Sequence, residues 1–131
     1  MNNDEFKEKY YAIVERALLF SERGRREGLL ALEELIDEEK YLQRDIFEFG
    51  MRLVVDGTDA SIIRDLLEII ICRETDKDEK TLKEMQEESV LSIQAGENTR
   101  ILHLKLSCYV DFGFEEALKK YSERKNVKIQ P

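Results

Sequence analysis

The one proline of this 131-residue chain is its last residue, Pro131, so no locked φ angle or missing N–H interrupts a helix anywhere upstream of it. The apolar residues use that freedom. Phe6, Tyr10, Ile13, Ala17 and Phe20 recur at steps of four, three, four and three, which lines them along one face of an amphipathic helix. The same register continues through Gly24, Gly28, Ala31 and Leu35, so the spacing predicts a long first helix that runs through "RREGLLALEE". Two explanations are open for its glycines. A row of small residues lets a second backbone approach closely and offsets the roughly 1 kcal/mol that each glycine costs a helix interior; alternatively the glycines mark a kink.

A second helix is expected from about Glu38 to Val55, with Leu42, Ile46, Phe49 and Leu53 on one face. "DGTD" at 56–59 then supplies a glycine stop and an Asp or Thr cap. A third helix from about Ala60 presents Ile63, Leu66, Leu67 and Ile70, and fades into "RETDKDEK" at 73–80. That run has no apolar residue and is expected to be solvated, as a loop or an exposed helical turn. The pattern resumes with Leu82, Met85, Val90 and Ile93, and Gly96 closes it. "LHLKLSCYVDFGF" at 102–114 alternates with the period of a strand, but Leu102, Leu106, Tyr109 and Val110 also have helical spacing. A lone strand leaves its backbone groups unpaired and no second strand is evident, so helix is the expectation. Gly113 is expected to break the pattern before a short terminal helix carrying Phe114, Ala117, Leu118 and Tyr121. The fold expected is an all-α bundle of about five to six helices, in one domain, since this length buries an adequate core without staples.

Charge narrows the function. A net charge of -8 with 38% charged residues excludes the basic footprint that nucleic-acid binding requires. No apolar run approaches the roughly 18 to 20 residues of a membrane span, and the first residues, "MNNDE", do not read as a signal sequence. A cytoplasmic chain without direct membrane insertion is expected. Cys72 and Cys108 are too few and too far apart for a disulfide scaffold or a zinc site, and buried reduced thiols are the expectation. His103 is the only histidine, so neither a histidine pair for a metal nor a catalytic relay can be assembled easily. Phosphate-binding loops and nucleophile elbows are absent. The acidic groups Asp37, Glu38 and Glu39, and Asp76, Asp78 and Glu79, lack a calcium-loop pattern and read as solvated faces. No catalytic residue, metal or cofactor is expected, and the chain is not read as an enzyme.

Three blocks carry a resemblance. "ALLFSERGRREGLLALEELID", followed by "LVVDGTDASIIRDLLE", resembles the cytoplasmic loop between the second and third membrane helices of the MotA/PomA flagellar motor stator family. "KEMQEESVLSIQAGENTRILHLKL" at 83–106 resembles the cytoplasmic tail of the same family. The matches run from about Ala17 to Val110. They imply a loop-like half at 1–71, a polar join at 72–80 in place of membrane helices, a tail-like half at 81–110 and an additional C-terminal helix at 111–131. Ala60 and Thr99 stand where the family has helix-starting prolines, with Asp59 and Asn98 left as caps.

The resemblance implies protein contacts and no ion conduction. The family's rotor-facing charges map to Arg25 and Glu33, and Arg26 lies nearly in line with Glu33. On an ideal continuous helix Arg25 and Glu33 would be about 12 Å apart along the axis and roughly 80° around it. Such a bipolar strip suits a partner helix with the reverse order of charges. The partner implied is the rotor protein FliG, at the cytoplasmic face of the flagellar motor; a full-length stator subunit is the second candidate. A monomer or weak dimer is expected. The competing readings are a stator subunit from which the membrane helices have been cut out, and a helical adaptor unrelated to motility.

Overall fold

In the computed structural model, residues 1–38 and 44–124 are described. Among them are seven helices: α1 (Asn3–Glu27), α2 (Ala31–Glu38), α3 (Ile46–Val55), α4 (Ala60–Cys72), α5 (Lys77–Ala95), α6 (Thr99–Ser107) and α7 (Asp111–Arg124). The all-α expectation holds among these residues; of the segment 102–114, Leu102 to Ser107 and the residues from Asp111 are helix, with a turn at 108–110 between them. The count exceeds five to six because the predicted first helix is two. Gly28 caps α1 with φ 91° and ψ 162°, a backbone conformation that only glycine adopts cheaply. The chain turns there and α2 restarts at Ala31, which corrects the reading of "RREGLLALEE" as continuous helix.

Helix α5 is the axis of the bundle and touches α1, α3, α4 and α6. Paired contacts give the directions. Lys9 meets Glu79 near the start of α5 and Arg25 reaches Gly96 beyond its end, so α1 runs parallel to α5. Phe47 N–H donates to Gln86 Oε1 at 3.0 Å, and Gly50 faces Val90, so α3 is parallel as well. Helix α4 returns antiparallel, because Gln94 Nε2, near the end of α5, donates to the Thr58 carbonyl just before α4 at 2.8 Å. Helix α6 folds back along α1, with Ser21 Oγ 2.7 Å from Thr99 Oγ1, and α7 packs on α6 and against the aromatic start of α1 through Phe112.

The core is continuous from Tyr10, Val14, Ala17 and Phe20 through Leu32, Ile36, Phe47 and Met51 to Ile63, Leu67, Met85, Val90, Leu102 and Leu106. The face of α3 differs from the expected one. Ile46, Phe47, Gly50, Met51 and Val54 point inward, while Phe49 is exposed and Leu53 half-buried. The expected register was anchored on Leu42, which lies outside the described residues, as does Glu39. On α4 the buried line is Ile63, Leu67 and Ile71, with Leu66 and Ile70 at its margin.

The caps expected at Asp59 and Asn98 are present, whereas Asp45 and Asp76 set helix starts that differ from those expected: α3 begins at Ile46 and not near Glu38, and α5 begins at Lys77, inside the polar run. Asp45, Asp59, Asp76 and Asn98 each accept a backbone N–H at a helix start, so the two positions without the family's proline keep working caps. Gly57 (φ 79°) follows the end of α3, and Gly96 (φ 72°) is the left-handed cap of α5. Residues 73–76 connect α4 to α5, and the rest of the polar run is the first turn of α5. Two expectations fail. Gly113 lies inside α7 and is buried rather than breaking the helix; an added Cβ would meet the Ser107 carbonyl oxygen at 2.6 Å and Tyr10 Oη at 2.7 Å. Cys72 and Cys108 are both exposed free thiols, since each sits at a helix end facing away from the core.

Candidate functional site: the corner between α1 and α2

Arg25 and Arg26 occupy the last turn of α1, and Glu33 and Glu34 the first turn of α2. Each pair has a local reason to be there, because cations favour a helix C-terminus and carboxylates an N-terminus. Arg25, Arg26 and Glu33 are all exposed. They do not share one straight helix, so the separation and rotation expected of a continuous strip do not apply. The positive end and the acidic face meet across a corner made by Gly28, Leu29 and Leu30.

That corner has a built geometry. Leu29 turns inward and packs on the core, and Leu32 is fully buried against Gly24, whose added Cβ would lie in ordinary contact, 3.5 Å from Leu32 Cδ1. Gly24 is therefore not a site of close backbone approach. Leu30 points the other way and is 76% exposed, the most exposed large apolar side chain described. It borders a shallow depression shared with Glu33, Glu34, Asp37 and Glu38. Arg23 pairs with Glu27 at 3.0 Å within α1.

Arg25 has one definite partner: its Nη1 donates to the Gly96 carbonyl at the end of α5. No salt bridge engages Arg25, Arg26 or Glu33 among the described residues. Around Gly96 the connection from α5 to α6 is tightly held. Ser92 Oγ donates to Glu97 Oε1 at 2.7 Å and Lys105 Nζ lies 2.9 Å from Glu97 Oε2. The Ser92 hydroxyl first, and then Lys105, hold the Glu97 carboxyl below its ordinary value. Together with the bond from Gln94 to Thr58, these contacts bring "RREG", "DGTD" and "QAGEN" to one end of the bundle.

Gly96, Glu97, Gln94 and Thr58 were not singled out as site residues by the sequence. They stand in the quoted blocks, but contacts of 36 to 71 residues' separation leave no periodic trace. Leu30 was also missed; its only signal is an apolar residue off the register of Gly24, Ala31 and Leu35. Among the described residues no group of three or more His, Cys, Asp or Glu side chains is placed to hold a metal ion. No described helix is long and apolar enough to cross a membrane.

No protein-family model matches the chain. It is similar to motility protein A of Borreliella burgdorferi, with 42% identity over 65 residues, 47% of this chain and 24% of that protein. It is likewise similar to motility protein A of Treponema phagedenis and of Treponema pallidum, with 45% identity over 56 residues in each case, 43% of this chain and 20% of each relative. The chain thus spans a quarter or less of the length of these relatives and is partly homologous to motility protein A.

Proposed function

We propose, from that partial homology to motility protein A, that this chain is a non-catalytic docking module of the flagellar motor, acting at the motor's cytoplasmic face. Its docking surface is the corner of Arg25, Arg26 and Glu33, and its partner is the rotor protein FliG. In the same reading the chain is one unit, a loop-like half and a tail-like half joined by residues 72–80, with 111–131 added. The observation that carries it is the placement of exposed, opposite charges at the corner where "RREG" is tied to the tail-like block. Complementary charge at such a surface governs encounter and register more than affinity, and Leu30 supplies exposed apolar area that a partner would remove from water.

The hydrogen bond from Arg25 to Gly96 favours a second reading in one respect, because an arginine spent on an internal carbonyl serves a scaffold rather than a partner. The variant to use is therefore Arg26→Glu with Glu33→Lys, which leaves that bond alone. Calorimetric titration against the torque-ring domain of FliG is expected to show salt-sensitive binding that weakens about tenfold or more in the double reversal, the loss of one or two charge-assisted contacts. Binding indifferent to the reversal would move the docking surface elsewhere. Absence of binding at low salt would reject FliG and turn the search to full-length stator subunits, or to an adaptor role outside motility.

A further inference from the structure

Helices α6 and α7 flank a half-open pocket of 250 Å³ whose walls include Arg100, His103, Leu104, Ala117, Lys120 and Tyr121. Its lining divides by chemistry. Leu104, Ala117 and the Tyr121 ring are apolar, whereas Arg100 and His103 from α6 and Lys120 from α7 are basic. Among the described residues no salt bridge engages Arg100 or Lys120. The one carboxylate, Glu116, accepts a 2.5 Å hydrogen bond from Tyr11 of α1, and Ser107 Oγ donates to the His103 carbonyl. The concavity therefore offers two basic side chains that no described carboxylate pairs with, on a chain whose net charge is -8.

We propose that this pocket is a binding site for a small organic anion with a flat apolar body, a single-ring phosphate or carboxylate. The anionic head is held by Arg100 and Lys120, and the body lies against Leu104, Ala117 and Tyr121. Pockets for small molecules combine mostly apolar walls with a few convergent polar groups in this way, and a planar guanidinium suits a two-oxygen anion better than a lone ammonium does. The site is separate from the corner between α1 and α2 and does not depend on the docking reading.

Burial first, and then Lys120, lower the His103 value, with Glu116 opposing. Burial and Lys120 thus disfavour the charged imidazole, whereas a bound anion favours it. Because His103 is the only histidine, its ring proton signals in a nuclear magnetic resonance spectrum report this pocket alone. Phenyl phosphate at millimolar concentration is expected to shift those signals saturably and to raise the pH at which they titrate. Arg100→Gln and Lys120→Gln should each weaken binding about tenfold, the cost of a charge-assisted contact, while Arg73→Gln, on the connection before α5, should leave it unchanged. Inorganic phosphate and phenol, each carrying half of the ligand chemistry, should bind more weakly than phenyl phosphate. A His103 signal that does not saturate, or an affinity unaltered in the Arg100→Gln, Lys120→Gln double variant, would overturn the site. Inorganic phosphate binding as tightly as phenyl phosphate would overturn the organic character of its ligand.

Discussion

A methyl group at position 50 would sit 2.6 Å from Val90 Cγ2 and 2.8 Å from Val90 Cγ1. Val90 is fully buried on the axis helix, so it has little room to move, and forcing an extra carbon into a packed interior costs about 1–3 kcal/mol. Gly50→Ala is therefore expected to lower the unfolding free energy in urea by about that amount, against the helix-propensity gain of an alanine. Shortening the opposing side chain should recover part of the loss: in the Gly50→Ala, Val90→Ala double variant the two effects should fall short of additive. Additive effects would mean that α3 moves away from α5 freely. The glycine residues also mark where sequence reading reaches its limit. Gly24 and Gly28 looked like the small residues of a close helix contact because they continue the register of Phe20, yet close approach occurs at Gly50 and Gly113. Periodicity gives the face on which a residue lies. The distance to the opposing backbone depends on which helix arrives there, and local spacing does not contain that.

At the scale of an element, the break between α1 and α2 governs the geometry of the candidate site. Gly28 has φ 91° and ψ 162° with nothing within 4 Å of an added Cβ, so the glycine is required by backbone conformation and not by space. Gly28→Ala is expected to destabilise the protein by about 1–3 kcal/mol, measured by urea unfolding. A D-alanine placed there by chemical synthesis, which accepts positive φ, should restore most of it. A neutral L-alanine substitution would indicate that α1 and α2 can form one continuous helix. The apolar and small-residue register fits such a continuation, which explains why the corner was not legible. The starts at Asp59 and Asn98 were legible because these caps act locally, each accepting an N–H two residues on; those at Asp45 and Asp76 were not, since the apolar register ran through the first and the polar run hid the second. Surface consequences of the break, Leu29 inward and Leu30 outward, follow only once the turn is known.

Across the whole molecule, helix α5 separates two differently built ends. It has 19 residues, about 28 Å of helix; the connection 73–76 lies before it, and the tied ends of α1, α4 and α6 gather beyond it. Arg25, Arg26 and Glu33 were nominated through the resemblance carried by the block at 17–37, but the support beneath them comes from Gly96 and Glu97, some seventy residues on. Glu97 links Ser92 of α5 to Lys105 of α6, and these contacts hold its carboxyl below the ordinary value of 4.5. A depressed carboxylate in the folded state binds its proton less readily than in the unfolded chain, so its contribution is complete above the unfolded value and is lost as pH falls through the folded one. Because Glu97 is partly exposed, solvent screening keeps that contribution below about 1 kcal/mol. Glu97→Gln should thus lower the unfolding free energy slightly at pH 7 and converge with the wild type as pH falls below about 4.5. Urea unfolding of both proteins from pH 7 to pH 3 measures this. Parallel curves across the whole range would mean that the charge of Glu97 does not hold α5 and α6 together, and that the corner rests on the bond between Arg25 and Gly96 and on apolar packing.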